Sequence, residues 1–99
     1  MYASHEFGKQ GEDYACQYLE TKGYQIIQRN FSCKQGEIDI IAKDKEEYVF
    51  IEVKTRHNFH YGMPSEAVTK KKQKHLWHAT KYYLYLHKLE NVYIRFDII

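Results

Sequence analysis

Two segments rich in Ile, Val and Phe, residues 37–43 and 48–55, are separated only by the polar stretch 44–47, and this spacing constrains the chain more than any other feature. Such segments at hairpin distance pair as antiparallel strands. A turn centred between Lys45 and Glu46 sets Asp39 directly opposite Glu52, and Glu37 opposite Lys54, whether the loop is counted as two residues or four. Successive strand side chains alternate, so Glu52 and Lys54 share one face while Ile51 and Val53 share the other. Opposed strand residues hold their Cβ atoms about 4.5–5.5 Å apart, where two carboxylates repel unless a cation intervenes.

The rest of the chain supplies a scaffold for this hairpin. Phe7, Gly11, Tyr14, Ala15, Tyr18 and Leu19 recur at spacings of three and four, which predicts an amphipathic helix over 6–22 that Gly23 stops. Residues 24–31, with Tyr24, Ile26 and Ile27, suit a strand, and 33–36 a turn. The stretch 56–64 contains the single proline and reads as a loop. Past Ser65, the residues Val68, Leu76, Trp77, Thr80, Tyr83 and Leu84 fall on one face of a second long helix. A last strand spans 92–99. The expected order is α-β-β-β-α-β, in one domain over residues 1–99.

Composition narrows the classes. With 43% hydrophobic and 28% charged residues the chain is globular rather than disordered. No apolar run approaches the ~20 residues of a spanning helix, and His5, Glu6 and Lys9 stand where a secretory leader needs an apolar core, so a cytoplasmic protein without a membrane role is expected. Cys16, on the first helix, and Cys33, in the turn, are expected to be free thiols. The pairs His57 and His60, and His75 and His78, come without any CxxC or HExxH pattern, so zinc has little support.

The opposed acids point to a hard cation. Mg²⁺ prefers oxygen ligands, retains waters and is commonly held by one or two carboxylates together with a substrate phosphate. Asp39 and Glu52 supply such a half-shell, and Lys54 is the candidate to hold the nucleophile or the phosphate. The same pattern also fits an exposed, salt-bridged hairpin face formed by Glu37, Asp39, Glu52 and Lys54. Lys70, Lys71, Lys72 and Lys74 near the start of the second helix, and Arg56 beyond Lys54, suit a phosphate backbone, or else a solvated surface. Tyr82, Tyr83 and Tyr85 suit either base stacking or packing.

The run Gly36-Glu37-Ile38-Asp39-Ile40-Ile41, followed by Phe50-Ile51-Glu52-Val53-Lys54-Thr55-Arg56, resembles the paired motifs of the PD-(D/E)xK nuclease superfamily and, more narrowly, the YraN-like family. Further matches are Gly8, Gly11-Glu12, Ala15, Gly23-Tyr24, Asn30, Gly62, Pro64, Glu66-Ala67-Val68, Lys72-Gln73, Arg95 and Asp97, which span nearly the whole chain. The resemblance implies a restriction-endonuclease-like fold: a mixed four-stranded sheet flanked by helices, related to Holliday-junction resolvases. It also implies DNA cleavage with Mg²⁺ or Mn²⁺, with Asp39 and Glu52 as metal-binding acids, Lys54 as the motif lysine, Glu12 as the acid of the first helix and Gln73 as a weaker match. Ile38 stands where the superfamily name puts proline, and Ser32 where the narrow family often has arginine. Relatives generally continue where this sequence stops at Ile99, so the chain reads as a fragment or a short member.

The expected function is therefore a metal-dependent endonuclease acting on DNA in repair or recombination. The alternative is a nucleic-acid-binding module on the same fold that lacks turnover or needs a partner. Many relatives of this fold pair to cut two strands, but no heptad or apolar stripe here specifies a homodimer.

Overall fold

A computed structural model describes residues 2–53 and 70–99. The elements are α1 (Tyr2–Thr21), β1 (Gln25–Cys33), β2 (Gly36–Asp44), β3 (Glu47–Glu52), α2 (Lys70–Leu86) and β4 (Tyr93–Ile98), in the α-β-β-β-α-β order expected. The four strands form one mixed sheet in the order β1-β2-β3-β4, with β1, β2 and β3 antiparallel and β4 parallel to β3. A parallel neighbour needs a crossover, and α2 lies within it. Among the described residues no helix is long and apolar enough to cross a membrane.

Each helix covers one face of the sheet. Ala15, Cys16 and Leu19 of α1 pack on Ile40, Ala42, Val49 and Ile51, with Val53 at the margin. On the opposite face Ala79 and Tyr83 of α2 pack on Phe31, Ile38, Ile41 and Phe50. Tyr83 meets Phe31 and Phe50 edge-on at centroid distances of 5.2 and 5.8 Å, so it is a core residue, while Tyr85 is exposed. Burial on α1 departs from the expected stripe, because Cys16 is buried whereas Tyr14 and Tyr18 are 78% and 52% exposed. A small thiol fits close helix-on-sheet packing better than a phenol does. Cys33 ends β1 instead of lying in the turn, and both thiols are free.

α1 ends as Gly23 was expected to end it. That residue has φ 91°, its N–H donates to the Glu20 carbonyl, and the Tyr24 N–H donates to the Leu19 carbonyl, both at 3.0 Å.

The β2–β3 hairpin has the expected register. Asp44 pairs with Glu47 and Ile40 with Ile51, around a two-residue turn in which Lys45 has φ 59°. The next pair in that register is Asp39 with Glu52. The alternation breaks just there: Ile40 packs toward α1, yet Ile38, two residues away, packs toward α2. Its partner strand breaks in step, since Arg29 bonds to α1 and Phe31 faces α2. Asn30, between them, has φ 57°. A left-handed residue is what lets a strand switch faces without leaving the sheet.

Candidate metal centre

Asp39 stands at this break, one residue beyond Ile40, the last residue of β2 that pairs with β3. Its Oδ2 accepts the Val53 N–H at 2.8 Å, so a side chain replaces the strand ladder and fixes the carboxylate at the open end of the hairpin. Glu52, the last residue of β3, is only 7% exposed, on the face turned toward α2. Its backbone is held from the other side just past the end of β4, where the Ile99 N–H donates to the Glu52 carbonyl at 2.9 Å.

These acids line a pocket of about 230 Å³ with Gly36, Glu37, Lys72, His75 and Leu76. Burial pushes the Asp39 carboxyl up to about 6; the charges of Glu52 and Glu12 add to the rise, opposed by the Val53 N–H and by Lys72. Loss of solvent contributes more to this rise than the neighbouring charges do. Lys72 Nζ lies 2.7 Å from Glu52 Oε2, with the lysine side chain 46% and the glutamate side chain 9% exposed.

Glu12, from α1, is held on the sheet by Arg29, whose Nη2 lies 3.3 Å from its Oε1, while Arg29 Nη1 lies 2.8 Å from Asp13. With its amide turned to satisfy both ends, Asn30 donates to both Glu12 oxygens at 3.2 Å. The first helix thus brings a third carboxylate whose field reaches Asp39.

The structure brings together Asp39, Glu52, Glu12 and Lys72 from four separate stretches of chain. Lys70, Lys71, Gln73 and Lys74 are exposed on the first turns of α2. Lys54 and Arg56 lie outside the described residues, as do His57 and His60. Lys72, read in the sequence with Lys70, Lys71 and Lys74 as suiting a phosphate backbone or a solvated surface, is exposed and also lines the pocket with His75 and Leu76. Residues at i, i+3 and i+4 share a helix face, but nothing in the sequence says which face meets the acids.

Among the described residues no three His, Cys, Asp or Glu side chains converge as a closed metal cage. Two carboxylates lining one pocket are instead the oxygen donors that suit Mg²⁺ or Mn²⁺ when water and substrate complete the shell.

A family model described as "Uncharacterised protein family UPF0102" matches residues 11–99. Relatives of the same name include one from Caldicellulosiruptor saccharolyticus, 47% identical over 94 residues that cover 95% of this chain and 80% of the relative. A Clostridium perfringens relative is 51% identical over 92 residues, covering 93% and 75% respectively. One from Clostridium botulinum is 48% identical over 99 residues, covering 99% and 80%.

Proposed function

The chain belongs to the UPF0102 family, and we propose that it is a nuclease that hydrolyses DNA phosphodiesters with a divalent metal ion, Mg²⁺ or Mn²⁺. The observation that carries this reading is the juxtaposition of Asp39 and Glu52 at the open end of the β2–β3 hairpin, where both carboxylates line one pocket. A bound divalent ion supplies Lewis acidity and lowers the pKa of water.

The chain's own groups do the rest. Asp39 and Glu52 would hold the ion, with Asp39 fixed by the Val53 N–H and Glu52 by its place between β2 and β4. Glu12, anchored by Arg29 and Asn30, adds negative potential that favours a cation at Asp39. Lys54, two residues beyond Glu52, is assigned to the nucleophile or the scissile phosphate. Arg56, Lys70, Lys71, Gln73 and Lys74 are assigned to the flanking backbone phosphates. A role in DNA repair or recombination, a cytoplasmic location and a homodimer that cuts both strands belong to the same reading.

The test incubates the purified protein with labelled single-stranded, duplex and four-way-junction DNA, in Mg²⁺, Mn²⁺ or chelator. Asp39→Ala and Lys54→Ala are run beside it. Cleavage is expected to need metal and to drop roughly 10²–10³-fold in each folded variant. Binding of every DNA with cleavage of none, and equal binding by Asp39→Ala, would replace the nuclease with a binding module.

A further inference from the structure

The ion pair between Lys72 and Glu52 joins partners of very different freedom. Glu52 is buried in the sheet and its carbonyl accepts the Ile99 N–H, whereas nearly half of the Lys72 side chain is exposed. A four-carbon stem ending in a point charge swings between partners at little cost. The helix that carries it does not: a Cβ at Gly36 would stand 3.3 Å from His75 Cβ, so the first turns of α2 are seated against the β1–β2 turn.

Lys72 therefore holds its ammonium 2.7 Å from Glu52 Oε2 on the wall of the pocket that Asp39 and Glu52 line, on a side chain that solvent reaches. We propose that Lys72 is a built-in counter-ion of Glu52 that an incoming divalent metal displaces, and that the released ammonium then takes the substrate phosphate in the same pocket. The inference rests on reading Asp39 and Glu52 as the metal-binding acids. It assigns Lys72 a phosphate-binding role separate from that of Lys54, and it makes metal loading the step that arms the lysine. A purely structural ion pair would hold Glu52 in place and help the site to form.

The two roles predict opposite signs for Lys72→Gln. Calorimetric titration with Mn²⁺ alone is expected to give roughly tenfold tighter binding in Lys72→Gln than in the unaltered protein, because a unit positive charge next to the ion is gone. Lys72→Arg, which keeps the charge, is expected to bind no more tightly than the unaltered protein, and cooperative thermal unfolding of each variant checks that it folds. Equal or weaker Mn²⁺ binding by folded Lys72→Gln would overturn the proposal. Mn²⁺ binding that is the same in Asp39→Ala as in the unaltered protein is a different failure, and would overturn the metal-centre reading beneath it.

The second arm measures duplex binding against salt in a Lys54→Ala background. In Mn²⁺, adding Lys72→Gln is expected to flatten the slope of log K against log[salt] by about 0.9, the share of one phosphate contact. In chelator, where Glu52 neutralises the lysine, the slopes should coincide. Slopes that differ equally in both conditions would show a phosphate contact independent of the metal and defeat the displacement.

Discussion

At its closed end the β2–β3 hairpin carries the strand pair Asp44 and Glu47, and at its open end Asp39 and Glu52. Arg95, from β4, reaches the closed end with Nη1 2.7 Å from Glu47 and 3.7 Å from Asp44, and its Nη2 lies 3.1 Å from Asp97. It also donates to the Tyr24 hydroxyl, and its own pKa is raised, first of all by the Asp97 hydrogen bond. A rigid fork of five donors satisfies three carboxylates at once. At the open end, the cation that the described residues bring is Lys72, a point charge on one oxygen of Glu52, and Asp39 is left raised to about 6. Acids of one type on the same two strands thus meet a three-carboxylate guanidinium network at one end, and at the other line the pocket proposed to take a metal.

The sharpest way to break this contrast is Arg95→Met. Three carboxylates would lose their shared guanidinium, and a loss of about 2 kcal/mol is expected for a network only one-third exposed. That is a fall of roughly 8–16 °C in Tm, with Mn²⁺ affinity unchanged. A Tm that did not move would mean that the closed end is no better compensated than the open one.

Asp39→Asn should act in the opposite direction. The carboxyl titrates at about 6 in the fold against an ordinary value of 3.8, so the native state binds its proton more tightly than the unfolded chain does. Its contribution to stability is then complete below the lower value and is lost as pH rises through the upper one. At pH 7.5 in chelator the ionised group is a burden, and the amide should gain about 1 kcal/mol after discounting for solvent screening. This gain should fade near pH 4, and metal binding should be lost. Melts at the two pH values check it; equal gains at both would show that ionisation of Asp39 is not the cause.

Thr80→Val carries the smallest effect. Thr80, on α2, is fully buried, and its hydroxyl has no hydrogen-bond partner among the described residues. Replacing it with a methyl of similar shape should be neutral or stabilise by up to about 1 kcal/mol, with Mn²⁺ affinity unaltered. Loss of stability in a folded variant would reveal a partner for that oxygen.

Much of the open end was legible in the sequence because hairpin register follows from the position of a short turn: a two-residue loop at Lys45 and Glu46 leaves Asp39 facing Glu52. The helices and strands follow from apolar spacing in the same way. What local spacing does not carry is the third dimension. The break at Asn30 and Asp39 is invisible to a period-two pattern, and the docking of Lys72 on Glu52 depends on how α2 sits across the sheet. Glu12 was suggested by resemblance alone, and its ties to Arg29 and Asn30 join residues far apart in the chain.

Gly36 has no side chain, yet it acts as a gauge for the pocket. Its φ of 149° and the 3.3 Å that a methyl there would leave to His75 mean that the seating of α2 is set by what this position lacks. An alanine would strain the turn and lift the helix by a few tenths of an ångström, carrying Lys72 away from Glu52 without altering any charged group. The reach of the lysine toward Glu52 is thus calibrated by a single hydrogen atom on the far wall.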